Sequence, residues 1–245
     1  MARSVRVKGA VIGRCPTDAA RLTEHHADPS KGFHWPYLLY VPGEVHWPHL
    51  LVAPNNTGFA TEDAAFLRAS GSCDVARSLG MIDRLGVPLL VPLFPRPAVA
   101  GEEENLYLHA LTRASLTTKI PAFKRVDLQL MAMVEDARAV LAKAGARVTS
   151  RVLLTGFSAS GSFVNRFALL HPENVRDSFS KSQQALVFRL FGTTPVSRWK
   201  KAERLYTVAG LNARFLLYPG VGHTTTREID GDVEAFFVEA MKKMN

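Results

Sequence analysis

The chain has 245 residues, 47% hydrophobic and 21% charged, with a formal net charge of +8. That is enough apolar material for one sizeable core, and the ordinary charged fraction excludes a disordered chain. The basic residues are dispersed, Lys200 with Lys201 and Lys242 with Lys243 being no more than pairs, so the charge reads as a solvated surface and not as a nucleic-acid-binding tract.

In chain order, residues 5–12 read as a strand, 35–41 as a second closed by the Pro42-Gly43 turn, and 50–53 as a short buried strand ending at Pro54. Residues 61–79 have helical spacing, with Thr61 placed to cap and Glu62 and Asp63 in the first turn. An apolar run of strand length follows at 88–93. The clearest helix is 123–144, where Val126, Leu130, Met133, Val134, Ala137, Val140 and Leu141 recur at steps of three and four before Gly145 ends it. Residues 151–155 form a strand apolar enough for the inside of a parallel sheet, and a helix runs from 159 to about 170, where His171 and Pro172 stop it. Beyond it, 182–191 and 195–209 read as helical, 213–218 as a strand, and 227–243 as a last helix with Val233, Phe236, Phe237 and Ala240 facing inward. Strands alternating with helices, with no linker between them, predict one α/β domain over 1–245, a mostly parallel sheet flanked by helices on both faces.

Cys15 and Cys73 have no metal-ligand spacing, and the sequence leaves their pairing open. The N-terminus is basic without a long apolar segment, and no stretch approaches the length of a membrane span. These features predict a cytoplasmic protein with no membrane partner. No P-loop, dinucleotide fingerprint or metal cluster is present in the sequence, so no cofactor or metal is expected.

The chemistry lies in Gly156-Phe157-Ser158-Ala159-Ser160-Gly161, which joins a buried strand directly to a helix. Strand, sharp turn and helix are the context of a nucleophile elbow, in which the serine Oγ is thrust above the sheet and the residues two before and two after it must be small. Gly156 meets that demand; Ser160 stands where glycine is usual. A serine needs a neighbouring base, and in such folds the histidine comes last in the chain, after the final strand. His223, in Tyr-Pro-Gly-Val-Gly-His, is the histidine that fits. One oxyanion donor is the backbone N–H of Ala159; the second is expected from the loop Pro54-Asn55-Asn56-Thr57-Gly58, at Asn55 or Asn56, although an ordinary Asx turn explains the loop equally well. The acid should lie between Ser158 and His223, where only Glu173, Asp177 and Glu203 occur; Asp177 is the candidate. Phe59, Phe94, His109 and Phe157 are candidates for the pocket wall.

The stretches LLVAPNNTG, PLFPRP, TGFSASGSFVNRFALLHPENV and TPVSRWKKAERLYTVAGLNARFLLYPGVGH resemble bacterial α/β-hydrolases related to esterases and polyester depolymerases. The resemblance covers most of the chain and implies Ser158 as nucleophile, His223 as base and an oxyanion loop at Asn55 and Asn56. It also implies that strands found in such relatives between the nucleophile helix and the last strand are missing here, and that the usual acid has gone with them, leaving Asp177 as a neighbour of the lost position. A sheet ending at 151–155 would present an open edge suited to a homodimer. The expected function is hydrolysis of a small-molecule or polymeric ester through an acyl-enzyme, the alternative being a non-catalytic relative that binds a ligand or partner.

Overall fold

Alternation along the strands decides the architecture. The computed structural model describes residues 5–7, 10–12, 15, 20–98, 106–181, 203–211, 224 and 226–242. Among the described residues six strands make one sheet: β3 (Leu22–His25), β4 (Tyr37–Tyr40), β5 (Leu51–Val52), β6 (Leu89–Pro92), β7 (Val152–Phe157) and β8 (Val175–Lys181), in the spatial order β3-β4-β6-β5-β7-β8. β3 and β4 are antiparallel to their neighbours, whereas β6, β5, β7 and β8 run parallel. On β4, Tyr37 and Leu39 enter one apolar cluster while Leu38 and Tyr40 enter the other; Val152 and Leu154 oppose Leu153 in the same way on β7.

Helices cover both faces. α3 (Val126–Lys143) and α4 (Ala159–Leu170) supply Leu130, Met133, Phe163 and Phe167 to the first cluster. α1 (Ala64–Leu85) and the last helix, α5 (Arg227–Lys242), supply Leu67, Ile82, Val233 and Phe237 to the second; a short helix, α2, spans Arg113–Thr117. The arrangement is the α/β-hydrolase fold that the sequence predicts. α1 starts later than its spacing suggests. Asp63, not Thr61, caps it, accepting from Phe66 N–H at 2.7 Å, and the helix continues to Gly86, whose φ of 61° a Cβ would disfavour.

Two expectations need correction. The strand predicted over 5–12 is a hairpin, β1 (Val5–Val7) against β2 (Ala10–Ile12), which lies beside α1. Close by in the chain, Cys15 is joined to Cys73 of α1 by a disulfide with the Cα atoms 5.0 Å apart. Second, a strand does follow α4. β8, with the sequence VRDSFSK, has too few apolar residues to signal a buried strand, yet its backbone pairs along all of β7. β7 is therefore not the edge of the sheet, as the homodimer expectation assumed. The strand predicted at 213–218 and the helix at 182–191 lie outside the described residues, as does most of 195–209, of which 203–208 are helical.

Candidate active site

The register brings three loops to one level. Val52, Leu90 and Leu154 are aligned across β5, β6 and β7. Four residues further along the chain, beyond the carboxyl end of each strand, come Asn56, Phe94 and Ser158. With strands spaced about 4.8 Å apart, these positions share the carboxyl rim of the sheet.

Ser158 has a positive φ, 59°, with ψ −119°, between β7 and α4. Such a conformation is sparsely populated for a residue with a Cβ and persists only where the surroundings enforce it. Here the enforcement is visible. A Cβ on Gly156 would lie 2.5 Å from the Ser160 carbonyl oxygen, so the turn closes only over glycine. Ser160 is buried, and its hydroxyl accepts from Phe157 N–H at 3.1 Å and donates to Phe157 C=O at 2.9 Å. The serine in place of the usual glycine thus braces the turn.

Ala159 opens α4 and is fully buried; as the first helical residue its N–H has no intrahelical acceptor. The backbone N–H groups of Asn55 and Asn56 donate to no group among the described residues. The N-terminus of α4, which begins next to Ser158, favours negative charge. The Asn55 side chain has another task. Its amide donates to Phe94 C=O at 2.8 Å and its oxygen accepts from Phe94 N–H at 3.1 Å, locking the loop after β5 to the end of β6.

A third group joins this lock. His109, in the turn Leu108–Ala110, is fully buried and sends Nε2–H to the same Phe94 carbonyl at 2.7 Å. The carbonyl fixes the proton on Nε2, leaving Nδ1 bare and without a partner. Burial pushes the imidazole down to about 4, against the opposing hydrogen bond to Phe94, so it is neutral at pH 7. His109 and Phe94 are core residues and not pocket walls; the Phe94 ring stacks on Phe163 of α4 with centroids 6.0 Å apart. Phe59 and Phe157 are partly exposed, as a wall requires.

Asp177 does not come to the rim. Its Cα pairs with Leu153 of β7, five residues before Ser158, which places it about 16 Å down the sheet from the elbow. The physical reason is that β8 begins at Val175 and passes Asp177 near its amino end. Glu173, exposed, immediately precedes that end, and Glu203 is an exposed residue of 203–208. His223 lies outside the described residues.

A buried carboxylate elsewhere has a structural role. Asp127, in the first turn of α3, is fully buried and meets His171 Nε2 at 2.9 Å and Arg125 Nη2 at 2.8 Å. Burial pushes it up, but the hydrogen bonds from His171 and Arg125 outweigh that and hold it well below the usual carboxylate range. His171 ends α4, so this pair ties the far end of α4 to the start of α3, about 18 Å from Ser158. Sequence reading assigned His171 only to a helix end; a carboxylate 44 residues away in sequence leaves no local signal.

No family model and no curated protein matches the chain. Solved structures do. An S-formylglutathione hydrolase from Agrobacterium tumefaciens aligns at 13% identity and a TM-score of 0.39, over 72% of this chain and 59% of its own. A thermostable esterase aligns at 15% and 0.49 over 92% and 62%, and poly(aspartic acid) hydrolase-1 from Sphingomonas sp. KT-1 at 13% and 0.46 over 86% and 94%. The chain thus spans less than two thirds of the first two.

Proposed function

We propose that the chain is a serine hydrolase that cleaves a carboxylic ester through an acyl-enzyme, with Ser158 as nucleophile. The observation that carries this is the elbow: a serine held at φ 59° between a parallel strand and a helix, over a glycine that admits no Cβ. Ser158 Oγ attacks the ester carbonyl while a base takes its proton. The N–H groups of Ala159 and of Asn55 or Asn56 hold the oxyanion, and collapse of the tetrahedral intermediate expels the alcohol. Water then repeats the attack and releases the acid. His223 is the proposed base, on its place in chain order. Asp177 is not carried forward as its partner, because its strand position is too far from the elbow.

That distance favours a second reading, a non-catalytic relative that keeps the elbow and binds a ligand. Fluorophosphonate labelling separates the two. Labelling of the folded protein that disappears in Ser158→Ala is expected for the hydrolase; folded protein that never labels would refute it. No helix among the described residues is long and apolar enough to cross a membrane. The Cys15–Cys73 bridge favours an oxidising compartment over the cytoplasmic location that the sequence predicts.

A further inference from the structure

The arginines that serve the architecture are paired with carboxylates: Arg68 with Glu24, Arg84 with Glu234, Arg125 with Asp127 and Arg138 with Glu135. Arg96 is different. It follows β6 by four residues, two beyond Phe94, on the rim that carries Ser158. Its backbone is fixed by a two-way exchange with Thr61, Arg96 N–H donating to Thr61 C=O at 3.0 Å and Arg96 C=O accepting from Thr61 N–H at 2.7 Å. Its guanidinium lies 4.1 Å above the centre of the Tyr107 ring, and Nη1 donates to Gly58 C=O, at the end of the oxyanion loop, at 3.1 Å. No carboxylate reaches it among the described residues, and its buried Nε has no acceptor. Of its five N–H donors, one is taken by a group among the described residues.

An arginine stacked on an aromatic ring and tied to the loop has already lost the side-chain freedom that binding would otherwise remove. Its planar fork matches a carboxylate, and a net charge of +8 draws anions toward the protein. We propose that Arg96 anchors an anionic subsite beside the nucleophile and takes a carboxylate carried by the ester itself, as in a hemi-ester of a dicarboxylic acid. The proposal rests on the hydrolase reading for its substrate, and its binding can be tested without turnover.

The kinetic test compares 4-nitrophenyl hydrogen glutarate with its methyl ester, which has the same acyl chain without the charge. Wild-type kcat/KM should favour the charged substrate by about tenfold or more, the worth of one charge-assisted hydrogen bond. Arg96→Gln should remove most of that preference, and Arg96→Lys, which keeps the charge but not the fork, should retain part of it. Arg151→Gln, at the opposite end of β7, removes the same net charge and should keep the wild-type ratio. A second arm measures glutarate binding to Ser158→Ala by calorimetry, with and without Arg96→Gln; binding that the second substitution abolishes supports the subsite even if no ester is turned over. Four results would overturn it: no preference for the charged substrate, a ratio unchanged in Arg96→Gln, an equal fall in Arg151→Gln, or glutarate binding to Ser158→Ala that is absent or unaffected by Arg96→Gln. Loss of the hydrolase reading shows itself separately, in the fluorophosphonate labelling.

Discussion

His109→Leu tests the lock that holds the loop after β5. At pH 7 the substitution removes the Nε2–H bond to Phe94 C=O, but Asn55 still donates to that oxygen, so the cost should be near 1 kcal/mol. The larger effect is in the pH dependence. Burial holds the His109 imidazole at about 4 in the folded protein, against 6.5 when free. The unfolded chain therefore binds the proton first. The stability from keeping His109 neutral is complete above pH 6.5 and is lost as pH falls toward 4. For a residue with no exposed surface the swing between pH 7 and pH 4 should be about 3 kcal/mol. Urea unfolding of both proteins at several pH values reads this directly, since the other acid-titrating groups act alike in both and cancel in the difference. The variant should be less stable than wild type at pH 7 and more stable at pH 4, by about 2 kcal/mol. Parallel stability curves would refute the reasoning, by showing that the buried imidazole does not resist protonation.

Two further substitutions probe the frame around the site. Asp127→Asn leaves Arg125 and His171 facing a neutral amide and should cost about 3 kcal/mol at pH 7 by urea unfolding. Because the folded Asp127 is held below its free value of 3.8, its contribution is present above that pH and fades as pH falls further, so the variant should lose less stability than wild type on acidification; an unchanged acid limb would count against the pair. Cys15→Ser opens a loop of 58 residues and should lower stability by up to about 4 kcal/mol, an effect that dithiothreitol should reproduce in wild type. Equal urea midpoints with and without the bridge would show that it carries no stability.

What the sequence revealed was mostly local in origin. The α4 boundaries, 159 and 170, follow from an elbow at one end and His171-Pro172 at the other, and both signals lie within a few residues of the effect. The core face of α5 was legible for the same reason: Val233, Phe236, Phe237 and Ala240 repeat at helical spacing and are all buried. β8 was missed because strand formation there depends on a partner. Nothing in VRDSFSK demands an extended backbone until β7 offers its edge, and a register shift between Val152 and Leu153 then fixes where Asp177 falls.

The same distinction divides the candidate site. Ser158, Gly156 and Ala159 belong to one turn, and sterics within that turn are enough to nominate them. Asn55 was nominated from turn chemistry as an oxyanion donor, but its side chain is spent on Phe94, 39 residues away, and His109 reaches that same residue from the other direction, 15 residues on. Side chains satisfied at such distances cannot be assigned from spacing, since any buried carbonyl would serve as the acceptor. The consequence for mechanism is specific. With the Asn55 amide occupied, the proposed oxyanion role of this loop falls to its backbone N–H groups, whose positions depend on the Phe94 lock. Substitutions in the lock should therefore act on the acylation step through loop placement, leaving the nucleophile itself intact.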